Sequence, residues 1–135
     1  MPEILLTESE VAVKLSQLKI DKSPGPDLLH PRILYETRNE VCSSLTSIFN
    51  KSLQTGSVPA DWKNSTVSVI FKKGKKDCVE NYRPISLTCI ACKVMESIIR
   101  DYILKYFLEN NLFSPKQFGF IPGRSTTLQL LRVVD

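Results

Sequence analysis

Apolar residues recur at helical spacing in four stretches of the chain, and polar or turn-forming residues separate them. The first stretch begins with a capping box, in which Thr7 precedes Glu10. Gly56 follows the second stretch and predicts its end, because glycine readily adopts the left-handed conformation there. The pattern predicts four helices, which run from Thr7 to near Ile20, from Arg32 to Thr55, from Ile90 to Leu108, and from Ser125 through Leu128, Leu131 and Val134.

Between the second and third helices, the pattern changes to that of extended backbone. Residues Ser65–Phe71 are rich in β-branched side chains and predict a strand. Residues Arg83–Thr88 predict a second extended segment, in which Pro84 disfavours a central position in a sheet. The charged residues Lys72–Glu80 form the turn between them. The sequence therefore predicts an α+β fold, mostly helical, with one short antiparallel β-hairpin.

Prolines and glycines predict two longer loops, one at Asp21–Asp27 and one at Ser114–Gly123. Within the first loop, we interpret Asp27 as a turn or cap residue rather than a catalytic acid. His30 is expected to be a polar residue of the loop or of a helix start. Trp62 is expected to be a packing anchor between the second helix and the sheet.

The chain is long enough for one domain, or for part of a larger one, and its positive charge is unevenly placed. The net charge is +4, and residues 63–93 hold seven basic and two acidic side chains. This local excess indicates an anion site, for which phosphate or nucleic acid is the natural partner. A turn of solvated lysines explains the charge equally well.

The four cysteines predict neither a disulfide framework nor a metal site. Cys89 and Cys92 form a CxxC motif, but no second pair of cysteines or histidines completes a zinc site. We therefore expect reduced, buried thiols. No apolar run approaches the length of about 18 residues typical of a membrane span. The acidic N-terminus lacks the apolar core of a signal peptide. We expect an intracellular protein without a membrane partner.

The hairpin turn carries the residues best suited to polyphosphate chemistry. Gly74 lets a phosphate approach the backbone, and it is surrounded by Lys72, Lys73, Lys75 and Lys76. Arg83 adds a planar fork that suits bidentate phosphate contact. Its neighbour Pro84 restricts the backbone, so that less conformational entropy is lost when a ligand binds.

Four motifs follow one another along the chain: KSPGPD at residues 22–27, VIFKKG at 69–74 after Trp62, NYRPISL at 81–87, and QFGF with GRST between 117 and 126. In this order they resemble the opening of the reverse transcriptases of non-LTR retrotransposons of the Jockey and chicken-repeat kind. The resemblance covers Thr7 to Asp135. It implies the fingers subdomain of a right-hand polymerase with an incomplete palm. Its parts would be a helical extension at 7–62, the fingers hairpin at 63–89, and a helix with a template-contacting loop at 90–135.

The resemblance also implies roles for candidate residues that match the family's motifs. Lys72 and Arg83 match the family's nucleotide-binding lysine and triphosphate-contacting arginine, and Phe120 lies in the segment that supports the nucleotide pocket. The loop Ser23–Asp27 resembles one that lies near the RNA template. The resemblance also implies contacts with nucleic acid for Gln117, Gly119 and Arg124. Lys73, Lys75 and Lys76 have no fixed counterpart in the family, and we expect them to bind nucleic acid by general attraction to template or nucleotide.

The reaction that the resemblance implies is RNA-templated DNA synthesis, with an RNA template, a DNA primer, deoxynucleoside triphosphates and Mg²⁺. In the family, aspartates of the palm hold the metal ions, and the matching motifs would come after Asp135. Asp101 has no carboxylate partner at a suitable spacing. We therefore expect a chain that grips substrate, has no catalytic or metal-binding residue of its own, and needs the palm and thumb for activity.

Three other interpretations stay open. The same cations suit a non-catalytic nucleic-acid-binding protein derived from a retroelement. The chain could equally be an inert remnant of such an element. In the third interpretation, the apolar stripe from Val94 to Phe107 binds another protein.

Overall fold

The computed structural model describes residues 3–134, which divide into two compact units at the Asp101–Tyr102 bond. Its regular elements are α1 (Glu8–Ser16), α2 (Pro31–Glu36), α3 (Arg38–Thr55), β1 (Thr66–Phe71), β2 (Tyr82–Leu87), α4 (Ile90–Glu109) and α5 (Thr126–Val134). Short 3-10 turns cover Ala60–Lys63 and Val79–Asn81. The predicted α+β class with one small antiparallel sheet is confirmed. Within this range, no helix has the length and apolarity needed to cross a bilayer.

Helix α1 begins at the predicted capping box. The Thr7 hydroxyl accepts from the Glu10 amide at 3.3 Å, and the Glu10 carboxylate accepts from the Thr7 amide at 2.8 Å. The predicted end near Ile20 is wrong, because α1 ends at Ser16. The amides of Gln17 and Leu18 donate to carbonyls only three residues back, so the last turn tightens and the helix stops.

The single helix predicted from Arg32 to Thr55 is wrong, since two helices meet at Thr37. Thr37 has a φ of −95° and a ψ of 16°, outside the helical range, and its hydroxyl donates to the Ile33 carbonyl at 2.8 Å. The break changes which side chains face the core: Phe49 is buried, whereas Ile33 and Ile48, both expected on the apolar face, are exposed. The predicted end at Gly56 is confirmed by its φ of 63°.

The core of the first unit lies where α1 packs on α3, and the first half of α4 adds most of the remaining buried side chains. Asn50 fixes the segment before α1, accepting from the Leu6 amide at 2.8 Å and donating to the Leu6 carbonyl at 2.9 Å. Trp62 meets Phe49 edge-on with ring centroids 5.8 Å apart, which confirms the helix side of its predicted anchoring role. The buried apolar residues of this unit are Leu6, Val11, Leu15, Leu34, Phe49, Cys89, Ile90, Ala91, Cys92, Val94, Met95 and Ile98.

Strands β1 and β2 pair antiparallel over their whole length, from Thr66 opposite Leu87 to Phe71 opposite Tyr82. Pro84 lies opposite Val69. Proline is tolerated there because β2 has no second neighbouring strand in the described range, so the missing N–H removes no outer ladder bond. The apolar side chains of β1 are exposed, and the hairpin therefore contributes little to the core.

The loop that carries KSPGPD packs on the start of α4. Gly25 is buried, and a Cβ atom built on it would lie 2.5 Å from the Thr88 carbonyl oxygen and 2.7 Å from the Cys89 amide nitrogen. Asp27 accepts from the Leu29 amide at 3.3 Å, which confirms it as a turn residue. His30 caps α2 by accepting from the Arg32 amide at 3.2 Å, as its position at a helix start predicted.

The second unit contains the end of α4, a loop and α5. Asn111, with a φ of 53°, follows the helix in the left-handed conformation, and Ile121 is the buried residue of the loop. Ser125 caps α5 by accepting from the Leu128 amide at 3.2 Å, as predicted. The side chain of Val134 and all of Asp135 lie outside the described residues.

Candidate nucleic-acid interface

The turn between the two strands, residues 72–81, is ordered by hydrogen bonds from its own far end. The Lys72 amide donates to the Asn81 carbonyl at 2.7 Å, which extends the strand pairing by one residue. The Asn81 side chain donates to the Lys75 carbonyl at 2.7 Å, and the Tyr82 hydroxyl donates to the Lys76 carbonyl at 2.8 Å. We call residues 72–81 the lysine turn.

Gly74 is required by the shape of the lysine turn. Its φ is 92°, a conformation that side chains rarely allow, and a Cβ atom built on it would lie 2.6 Å from Nδ2 of Asn81. Glycine therefore lets the turn fold tightly over Asn81.

Lys72 and Arg83 are diagonal neighbours on one face of the hairpin. Arg83 lies opposite Ile70, and Lys72 follows Ile70 by two positions while pairing with Asn81. Alternation of side chains along a strand places Ile70, Lys72 and Arg83 on the same face. Diagonal neighbours on an antiparallel pair lie about 7–8 Å apart, which long side chains can bridge around a single phosphate group.

The cations of the turn are available to a ligand. Arg83 and the four lysines 72, 73, 75 and 76 are all exposed, and in the described part of the chain none of them forms an ion pair. Residues 72–83 carry five cations against the carboxylates of Asp77 and Glu80, so the local charge is positive. Exposed cations held close together without partners create a field that attracts polyanions.

The second group of predicted site residues lies in the loop of the second unit. Arg124 donates through Nη1 to the carbonyls of Ser114, at 2.9 Å, and Gln117, and its guanidinium lies 5.9 Å from the centroid of the Phe118 ring. Arg124 thus fixes the loop, and its Nε and Nη2 groups are the donors left for a phosphate. Its predicted contact with nucleic acid stays a prediction.

Phe120 presents its ring to solvent. It is fully exposed and has a φ of 63°, a strained conformation for a residue with a bulky side chain. Gly119 has open space where a side chain would stand, and Gln117 is exposed. The predicted roles of Phe120, Gly119 and Gln117 stay predictions.

The structure therefore brings together Lys72 and Arg83 at the base of the lysine turn, and Gln117, Gly119, Phe120 and Arg124 in one loop. Sequence reasoning missed Asn81, although it opens the NYRPISL motif, because nothing local indicates that its side chain reaches back to Lys75. It also missed the contact of Gly25 with Thr88, which the buried glycine between two prolines could have suggested.

Within residues 3–134, no group of three or more His, Cys, Asp or Glu side chains is arranged to hold a metal ion. Asp101 is engaged instead by Lys14 and by Arg100, whose Nη2 lies 2.9 Å from Oδ1. Cys89 and Cys92 are buried, unpaired thiols, as expected. Burial, followed by the nearby Glu96 carboxylate, raises the pKa of Cys92 to about 11.

The relatives of the chain include polymerases of mobile elements. No protein-family model matches it. The chain is 34% identical over 136 residues to the RNA-directed DNA polymerase from mobile element jockey of Drosophila melanogaster, an alignment that covers 100% of the chain and 15% of the polymerase. From the same species, the probable RNA-directed DNA polymerases from transposon X-element and transposon BS are 32% and 31% identical, over 100% and 92% of the chain and 15% and 14% of their own lengths.

These similarities define the class of the protein: the chain matches one segment of the reverse transcriptases, the RNA-directed DNA polymerases, of transposable elements. Within that class, the chain belongs to the non-LTR retrotransposon family that includes jockey, X-element and BS. It spans about 15% of the length of these relatives.

Proposed function

We propose that this chain is the fingers part of an RNA-directed DNA polymerase, and that its hairpin grips the triphosphate of the incoming deoxynucleotide. The observation that carries this proposal is the diagonal placement of Lys72 and Arg83 on one face of the hairpin, at the base of the lysine turn. In the described chain, the lysines of this turn form no ion pair. Arg83 supplies a planar fork for phosphate oxygens, and Lys72 supplies a compact point charge. Solvated lysines alone do not require this shared face.

The positive charge of the hairpin and the ordered backbone of the lysine turn both favour a polyphosphate ligand. A nucleoside triphosphate is a compact polyanion, and each charge-assisted contact is stronger than a neutral hydrogen bond. Lys73, Lys75 and Lys76 add exposed cations beside the Lys72–Arg83 pair. In the proposal, these three lysines attract the template or the nucleotide.

The loop of the second unit would lie along the template-primer. Its exposed Phe120 ring offers a flat apolar surface on which a base can stack, and Gly119 leaves space for a close backbone approach. Gln117 and the Nε and Nη2 donors of Arg124 are suited to backbone phosphates.

The partners in the proposal are an RNA template, a DNA primer, deoxynucleoside triphosphates, and the palm and thumb of the polymerase. The Mg²⁺ ions of nucleotidyl transfer have no fitting ligand set among residues 3–134. No step assigned to this chain therefore uses a metal. We expect the 135 residues alone to bind substrate without extending a primer.

The proposal is tested by the binding of a labelled RNA–DNA primer-template at low and moderate salt. The chain is compared with a Lys72→Ala/Arg83→Ala double variant. The same titration with a deoxynucleoside triphosphate tests the grip itself: loss of the two phosphate contacts should weaken triphosphate binding and make it less dependent on salt. Binding of the primer-template should change less, because Lys73, Lys75 and Lys76 still attract it.

The matched control is Arg32→Ala/Lys51→Ala, which removes the same charges from exposed positions on α2 and α3. If both double variants weaken binding equally, general charge attraction explains the result and the assignment of Lys72 and Arg83 is wrong. Absence of any binding by the unaltered chain would reject the proposed grip altogether.

A further inference from the structure

The lysine turn is held by its last residue, Asn81, and by Tyr82, which follows it. Four hydrogen bonds join these two residues to the rest of the turn: the Lys72 amide to the Asn81 carbonyl at 2.7 Å, the Asn81 amide to the Cys78 carbonyl at 3.1 Å, the Asn81 side chain to the Lys75 carbonyl at 2.7 Å, and the Tyr82 hydroxyl to the Lys76 carbonyl at 2.8 Å. Each of the last two uses a side chain to fix the backbone of a lysine. The lysine side chains themselves are left exposed.

The residues next to these hydrogen bonds leave room for them and orient their donors. The glycine at position 74 is the only residue type that leaves room for the Asn81 amide, because a Cβ there would lie 2.6 Å from Nδ2. The Tyr82 ring packs edge-on against Phe71, with centroids 5.5 Å apart, and this contact fixes the direction of the hydroxyl. In the described chain, the amides of residues 73–76 donate to no protein acceptor, so they stay available to an anion.

We propose that Asn81 and Tyr82 are positioning residues. They order the lysine turn before a polyphosphate binds, so that the cations and free amides of the turn are already in place. This inference rests on the proposed nucleotide grip and extends it to two residues that touch no phosphate themselves. A loop that is ordered before binding loses less conformational freedom when the ligand arrives, and its affinity rises accordingly. Asn81 and Tyr82 therefore raise the affinity indirectly, by holding the backbone of the lysines in place.

The first experiment measures the affinity of the 135-residue chain for inorganic tripolyphosphate by calorimetry. Asn81→Ala removes the side-chain bond to Lys75, and Tyr82→Phe removes only the hydroxyl while keeping the ring on Phe71. Each variant should bind about three- to tenfold more weakly, the range expected for one net hydrogen bond. The control is Asn110→Ala, which removes an equivalent side-chain bond to a backbone carbonyl, that of Tyr106, and should leave binding unchanged.

A second measurement separates positioning from a general effect on folding. In a Lys75→Ala/Lys76→Ala background, Asn81→Ala should cause a smaller further loss of tripolyphosphate affinity, since two of the side chains whose backbone it positions are gone. An equal loss in both backgrounds would overturn the inference. So would tripolyphosphate affinities of Asn81→Ala and Tyr82→Phe equal to that of the unaltered chain.

A third measurement does not depend on binding. Heteronuclear NOE values of the amides of residues 73–77 should fall in Asn81→Ala and stay high in Asn110→Ala. Turn amides that stay equally ordered in Asn81→Ala would overturn the inference even if the chain binds tripolyphosphate. If the unaltered chain does not bind, the proposed grip is wrong, and a drop in these NOE values still supports Asn81 as the residue that orders the turn.

Discussion

Gly25 lies so close to Thr88 that a side chain on residue 25 would collide with the backbone: a Cβ atom there would stand 2.5 Å from the Thr88 carbonyl oxygen. The loop of the KSPGPD motif is thereby fixed to the junction between β2 and α4. The Asp27 carboxylate of the same loop lies near the Cys89 thiol and, after burial, is the next cause that raises the pKa of that thiol. The motif thus joins the N-terminal helices to the base of the hairpin, in addition to any contact with a template.

Gly25→Ala should destabilise the chain by about 1–3 kcal/mol, because the added methyl group must displace backbone rather than a flexible side chain. Urea unfolding followed by circular dichroism measures the change. Gly119→Ala makes the same substitution where nothing lies within 4 Å, and it should change the free energy of unfolding by less than about 0.5 kcal/mol. Equal effects at positions 25 and 119 would contradict the close approach.

Asn50→Ala should cost about 1–3 kcal/mol, since it leaves the partly buried amide and carbonyl of Leu6 without their partner. Unfolding in urea again measures the loss. Asn39→Ala, on the exposed side of the same helix, is the matched control and should be nearly neutral. A neutral result for Asn50→Ala would show that water replaces both hydrogen bonds.

The lowered pKa of Asp101 makes the free energy of unfolding depend on pH. Partial burial favours its neutral form, but hydrogen bonds from Lys14 and Arg100 outweigh this effect, so the pKa of Asp101 is lower in the folded chain than its ordinary 3.8. A lowered pKa stabilises the fold above pH 3.8, and this contribution disappears as the pH falls through the folded value. Asp101→Asn should therefore destabilise the chain at neutral pH, by less than about 1 kcal/mol for so exposed a pair, and should have a smaller effect at a pH below 3.8.

Unfolding experiments at both pH values measure this difference. Glu36→Gln, at an exposed carboxylate without an ion pair in the described structure, is the control for loss of one charge. A destabilisation by Asp101→Asn that grows as the pH falls has the opposite sign and would exclude the proposed linkage.

The thiols should react with Ellman's reagent in an order set by burial. Cys78 is exposed in the lysine turn and should react first, followed by the half-buried Cys42. Cys89 and Cys92 are buried, and burial raises the pKa of both thiols, so they should react only when the chain unfolds. Cys78→Ser should remove the fast phase. Rapid reaction of more than two thiols in the folded chain would contradict the buried position of the CxxC motif.

Much of the fold could be predicted from the sequence because its determinants are local. The capping residues Thr7 and Ser125, the glycine that ends α3, and the strands on either side of the lysines each depend on a few neighbouring residues. The break at Thr37 was missed, since apolar residues continue at helical spacing across it and only the Thr37 hydroxyl marks the change.

The sequence by itself determined the family, the hairpin and the cluster of cations at its turn, because motifs, alternation and charge are written in adjacent residues. Only the tertiary structure decided that Lys72 and Arg83 share one face, that Asn81 holds the turn, and that Gly25 touches Thr88. The physical reason is that these relationships depend on the folded geometry. A shift of one residue in strand register would reverse the faces of the hairpin, and the contact of Gly25 with Thr88 joins residues far apart in the chain.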